Sequence, residues 1–261
     1  MKIVAIANQK GGVAKTTTAI NLAAALAERG QRVLLIDLDP QGNASTGLGV
    51  GPDQRDPSSY DLLLGDALAS DVLRETLTPG LGIIPATQAL SSSDVELQNV
   101  SKRSYLLRDR LAADAVLAAR IDTVLIDCPP SLNMLTVNAL VAAHSVLIPL
   151  QSEFFALEGL SQLMLTIRDI RQTANTRLRV EGVLLTLHDQ RNNLAQQVER
   201  DARETLGELV YRTVIPRNVR LSEAPSYAMP VLVYDPESKG AQAYRALADE
   251  YLAANSAGVT A

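Results

Sequence analysis

Residues 8–19 read NQKGGVAKTTTA, a pair of glycines followed within a few positions by lysine and threonine. Gly11 and Gly12 let the backbone approach an anion closely, Lys15 supplies a point charge, and Thr16 is placed to give its hydroxyl to Mg²⁺. The ordinary phosphate-loop pattern G-x-x-x-x-G-K-[ST] is nevertheless not met, because Gln9 and Ala14 stand at its two glycine positions. Two further stretches carry carboxylates. LLIDLDPQGN presents Asp37 and Asp39 at the end of an apolar run, and TVLIDCPPS presents Asp127 in the same way. Carboxylates facing a phosphate loop are what Mg²⁺ and an attacking water require. Taken singly, each feature has a plain structural alternative: a glycine-rich turn with a capping threonine, or an aspartate in a strand-terminal turn. Their occurrence together, in this chain order, weakens that alternative. Cys128 reads as a small buried residue, since no basic partner lies near it in sequence.

These groups need strands to present them. Continuous Val, Ile and Leu runs at 2–7, 32–37, 82–85, 123–127, 145–150, 180–186 and 210–215 predict strands covered on both faces. Amphipathic stretches at 16–29, 104–119, 157–173, 193–206 and 239–253 predict helices between them. Such alternation implies an α/β fold, a doubly wound, mostly parallel sheet with helices on both faces, organised as one domain over 1–261. Ligands of such sheets sit beyond the carboxyl ends of the strands, where the loop and the aspartates fall. The stretch 47–59, GLGVGPDQRDPSS, predicts a mobile loop.

Composition restricts the alternatives. Hydrophobic residues make up 47% and aromatics 3%, with no Trp, so the core must be aliphatic. A net charge of −5 means that any nucleic-acid binding must come from a local basic patch. One cysteine excludes an internal disulfide framework and any metal cluster needing several thiolates from this chain. His144 and His188 read as surface or hydrogen-bonded histidines. No run of 18 apolar residues occurs and no cleavage-like leader is visible, so a cytosolic protein is expected.

The sequence resembles the ParA/MinD class of ATPases, whose deviant phosphate loop is K-G-G-x-x-K-[ST]. Lys10, Gly11, Gly12, Lys15 and Thr16 match every fixed position, and Ala14 falls on a free one. The resemblance continues through DLDPQGN (37–43), IDCPPSLNMLTVNAL (126–140), PLQSEFFALEGL (149–160) and VIPRNVRLSEAPS (214–226), and is strongest to chromosomal, Soj-like partition ATPases. It implies a P-loop NTPase that uses ATP and Mg²⁺, dimerises around two ATP molecules, and hydrolyses them slowly. Lys10 would then reach the phosphates held by the partner subunit. Residues 10–17 (Lys10, Gly11, Gly12, Val13, Ala14, Lys15, Thr16, Thr17) would hold the phosphates, and Pro216 and Asn218 the adenine. Thr16, Asp39 and Asp127 would serve the metal, with Asp39 also orienting the water and Asp37 in a supporting position. Alanine at 14 is expected to sit without strain, at negative φ.

The same resemblance implies ATP-dependent, sequence-independent DNA binding through Arg191 and Arg220, with Arg217 a weaker candidate. It also implies a nucleoid-associated protein that moves a chromosome or plasmid with a ParB-like partner stimulating hydrolysis. The terminal ADEYLAANSAGVTA lacks the basic amphipathic face of membrane-binding MinD-like relatives, so no membrane partner is expected. The alternative from another class is a metabolic P-loop enzyme, a synthetase or small-molecule kinase of the same fold. The IPRNVRLSEAPS stretch, and no sign of an added substrate domain, favour the partition reading.

Overall fold

The computed structural model describes residues 1–153 and 156–257. Two phenylalanines of the 149–160 motif and residues 258–261 of the carboxyl-terminal stretch lie outside the described residues. Among the described residues, seven strands form one sheet: β1 Lys2–Ile6, β2 Val33–Asp37, β3 Arg74–Glu75, β4 Leu81–Ile84, β5 Thr123–Asp127, β6 Ser145–Gln151 and β7 Arg179–Thr186, in the order β3-β4-β2-β5-β1-β6-β7. All pairings are parallel except that of β3 with β4. The doubly wound architecture expected from the strand–helix alternation is therefore the one observed.

Burial on both faces explains why the strands read as unbroken apolar runs. Ile3 and Ala5 of β1, Leu34 and Ile36 of β2, and Val124 and Ile126 of β5 pack on one face with the Met134–Ala142 and Ala156–Thr173 helices. Val4 and Ile6, Val33 and Leu35, and Leu125 pack on the other. That face is closed by the Lys15–Glu28 and Lys239–Ala257 helices, joined through Thr18 Oγ1 and the buried Tyr244 hydroxyl at 3.1 Å.

Three expectations need correction. The run 210–215 is no regular strand: it makes one bridge to β7 at Val210, and the amides of Arg212 and Thr213 donate to the Glu250 carboxylate at 2.7 and 2.9 Å instead of to a ladder. The stretch 104–119 is two helices, Leu106–Ala113 and Ala115–Arg120, because Asp114 interrupts it and caps the second by accepting from the Leu117 amide. The 47–59 loop is pinned rather than free. Its Arg55 is buried and donates to the Val50 and Ala86 carbonyls and to the Thr46 hydroxyl.

Candidate nucleotide site

β1 runs out into the glycine-rich loop, which other elements hold from two sides. Asn8 donates its side-chain amide to the Pro149 carbonyl of β6 at 2.7 Å and accepts from the Lys10 amide. Thr186, at the end of β7, donates to the Val13 carbonyl at 3.0 Å, and Val13 itself is buried. Gly12 (φ 75°) and Ala14 (φ 65°) both lie in the left-handed region, and the helix Lys15–Glu28 begins immediately. Alternating left-handed residues turn successive amides toward one side, and the helix's first turn has N–H groups with no intrahelical partner. A Cβ built on Gly11 or Gly12 would meet nothing within 4 Å, so the glycines keep open the mouth into which these amides face.

The positive φ of Ala14 overturns the expectation of an unstrained alanine. The helix start requires a left-handed residue here, and the Ala14 carbonyl accepts from the Thr18 amide at 2.9 Å. For an L-residue this costs about 1–2 kcal/mol, against about 0.4–1 kcal/mol of unfolded-state entropy that glycine would add. Ala14→Gly is therefore expected to stabilise the chain by about 0.5–1 kcal/mol. A urea midpoint that falls at unchanged m-value would contradict this.

Lys15 is 7% exposed and donates from Nζ to the Lys10 carbonyl at 2.9 Å. Burial pulls its ammonium below the ordinary range, opposed first by Asp127 and more weakly by Asp39. Lys10 lies outside the cradle, where its ammonium pairs with Glu153 Oε2 at 2.6 Å, and Gln151 holds the other Glu153 oxygen. Glu153 and the loop-bracing Asn8 and Thr186 were not singled out in the sequence.

Asp37 and Asp127 are register partners on β2 and β5, both fully buried. Asp37 accepts from the Ser45 amide and hydroxyl at 2.9 and 2.7 Å and from the Asp39 amide at 3.1 Å. Burial still outweighs these bonds and raises its carboxyl to about 6, with Asp39 adding to the rise. A raised folded-state value contributes stability below about pH 4 that is lost as pH rises through about 6. Asp37→Asn should flatten the stability curve across that window, read by urea unfolding at several pH values; an unchanged slope would contradict the assignment.

Asp127 differs, because neither of its buried oxygens accepts a hydrogen bond of ordinary geometry. Burial and the Asp37 charge push its carboxyl well up, and the Thr16 hydroxyl offsets this only in part. Among the described residues, no cluster of three or more His, Cys, Asp or Glu could hold a metal unaided. An orphaned carboxylate, a half-buried threonine hydroxyl and Asp39 fit a cation that takes its remaining ligands from phosphate and water. Cys128 is buried and its thiol pushed up by burial, a packing residue.

Beyond Thr186 the chain reaches Leu187, left-handed at φ 51°, and His188. His188 is buried between Ser152 Oγ and Glu199 Oε2, each at 3.2 Å, while the exposed His144 accepts from the Ile3 amide at 2.9 Å. Asn218 caps the Val219–Glu223 helix by accepting from the Arg220 amide, and it lines a cavity of about 510 Å³ with Leu187, Arg217 and Ser222. Pro216 bridges His188 and faces an adjoining cavity of about 670 Å³. The side chains expected to meet the adenine thus stand beside the wall that braces Val13. Arg191 and Arg220 are exposed and ion-paired, to Asp189 and to Glu223 with Asp235; Arg217 has no ion pair among the described residues. No helix among the described residues is long and apolar enough to cross a membrane.

A family model described as an AAA domain matches residues 1–180. The chain is 57% identical over 253 residues to the chromosome partitioning protein ParA of Caulobacter vibrioides, covering 97% of this chain and 94% of that protein. It is 50% identical to the sporulation initiation inhibitor protein Soj of Bacillus subtilis, covering 97% and 98%. A crystal structure described as cobyrinic acid a,c-diamide synthase from Mycobacterium smegmatis with bound ADP and magnesium superposes with a TM-score of 0.82 at 41% identity, covering 95% and 92%. With the deviant loop, the paired strand-end aspartates and these likenesses together, the chain belongs to the ParA/MinD class of P-loop ATPases, among the ParA and Soj partition ATPases.

Proposed function

We propose that the chain acts as one domain, a cytoplasmic, nucleoid-associated ATPase that dimerises around ATP, binds DNA without sequence preference and moves a replicon. A ParB-like centromere-binding partner stimulates its hydrolysis. The observation carrying the nucleotide reading is the buried Asp127 carboxylate on the strand next to Asp37, whose oxygens have no hydrogen-bond partner of ordinary geometry among the described residues, beside a loop whose glycines keep their mouth open. Bound Mg²⁺ would supply charge neutralisation on the phosphate oxygens, with Thr16, Asp39 and Asp127 as the residues that hold it.

The chain's own residues do the rest. Amides of residues 10–17 orient the phosphates, and Lys15 sets a buried positive charge against them. Asp39 orients the attacking water and accepts its proton. Lys10 leaves Glu153, an exposed pair worth about 1 kcal/mol or less, to stabilise charge on the partner's phosphates. Pro216 and Asn218 flank the base.

Arg191, Arg217 and Arg220 form the DNA-binding set. Arg220→Glu is expected to abolish retention on DNA while ATP binding persists; salt-sensitive retardation kept by the variant would reject the assignment. One second reading has support: the synthase description of the Mycobacterium smegmatis structure fits a metabolic enzyme acting on a small substrate. Turnover measured with and without random-sequence DNA and a ParB-like protein separates the two. Stimulation by the partner supports partition, and fast turnover indifferent to both rejects it.

A further inference from the structure

Arg220 is held from two sides. Its Nη1 donates to Glu223 Oε2 at 2.8 Å, and its Nε lies 3.1 Å from Asp235 Oδ2. The Glu223 oxygen also accepts from the Tyr234 hydroxyl at 3.2 Å, and the Tyr234 ring stacks on Tyr227 with centroids 4.8 Å apart. Two separate elements build this arrangement. The Asn218 cap starts the Val219–Glu223 helix and puts Arg220 and Glu223 three residues apart on one face, while Asp235 closes the short helix Val231–Tyr234. One guanidinium therefore faces two carboxylates. Arg191 is treated alike, with Nε and Nη2 each 3.1 Å from an Asp189 oxygen.

We infer that Glu223 and Asp235 form a carboxylate clamp on Arg220, acting as built-in counterions that duplex DNA phosphates must displace, and so set the threshold for DNA binding. This rests on the DNA-binding reading above. The clamp is solvent-exposed, with the Arg220 side chain 51% accessible, so its bonds are weak enough to exchange for phosphate contacts. It is also fixed in place, because Tyr234 orients Glu223. Both carboxylates act through Arg220 as positioning residues.

The test is a double-mutant cycle on the full chain with ATP, reading affinity for a random-sequence duplex by fluorescence anisotropy across about 50–200 mM salt. Glu223→Gln with Asp235→Asn should tighten binding about three- to tenfold at low salt, with the gain shrinking as salt rises. In an Arg220→Ala background the same pair should give only the general charge gain, no more per carboxylate than a carboxylate not paired with Arg220 gives. Glu237→Gln, which removes an exposed carboxylate that makes no ion pair with Arg220, controls for net charge and should give less. An equal gain per carboxylate from Glu237→Gln, or the full clamp gain surviving Arg220→Ala, overturns the clamp. Wild-type binding with no gain in the clamp variant also overturns the clamp but leaves the DNA-binding reading intact. Failure of every form to bind DNA with ATP overturns both.

Discussion

Asp39→Ala is expected to yield a chain that binds ATP, dimerises and stays on DNA, with hydrolysis reduced about 10²-fold or more. The carboxylate can be removed without unbuilding the site. It is 8% exposed and, among the described residues, its Oδ1 accepts from the Gln41 amide alone, whereas Asp37 retains both Ser45 donors and the residue-39 amide. Its negative charge also adds to the burden on Asp37 and Asp127. Alanine there should therefore raise the melting temperature of the nucleotide-free chain, while Thr16 and Asp127 still serve the metal and ATP stays bound. Sizing chromatography with ATP, DNA retention and single-turnover hydrolysis check this together. A variant that remains monomeric with ATP would show that Asp39 belongs to binding instead of to the chemical step.

The two loop lysines should fail differently. Lys15→Ala removes a buried cation facing Asp127 and Asp39 and leaves the Lys10 carbonyl without its donor. Loss of a buried charge partner costs about 3 kcal/mol or more, so ATP affinity of the single chain should fall about 100-fold, and dimerisation should go with it. Lys10→Ala breaks only its ion pair to a half-exposed Glu153. Single-chain ATP affinity should stay within about fivefold, while hydrolysis falls about 10³-fold, the scale of a cation supplied across an interface. Calorimetry on the monomer and turnover at high protein concentration separate the two. Equal loss of monomer affinity in both variants would remove the intersubunit role from Lys10.

Much of the fold was legible because a sheet covered on both faces writes itself as apolar runs, and the carboxyl ends of those runs are where the site had to be. Other parts were not. The Met134–Ala142 helix, MLTVNALVA, is buried nearly all round, Thr136 and Asn138 included, and shows no amphipathic period, although Asn133 caps it. The irregular course of 210–215 depends on Glu250, far away in sequence, and on Gly182, where any Cβ would strike the Tyr211 ring. Arg55 reads as a polar residue in a loop, yet folding brings three acceptors around it. In the site, local spacing marked the phosphate loop and the aspartates. The residues that brace them, Asn8 through β6 and Thr186 through β7, act across more than 140 positions and left no local signal.

The left-handed alanine at the start of the Lys15–Glu28 helix bears on kinetics as well as on stability. Because Gly12 and Ala14 take left-handed conformations as part of the folded backbone, their conformational cost belongs to folding rather than to the encounter with nucleotide. Association then needs little backbone rearrangement and should be limited by diffusion and solvent release. A glycine at position 14 would give back that preorganisation, so the more stable Ala14→Gly chain should capture nucleotide more slowly.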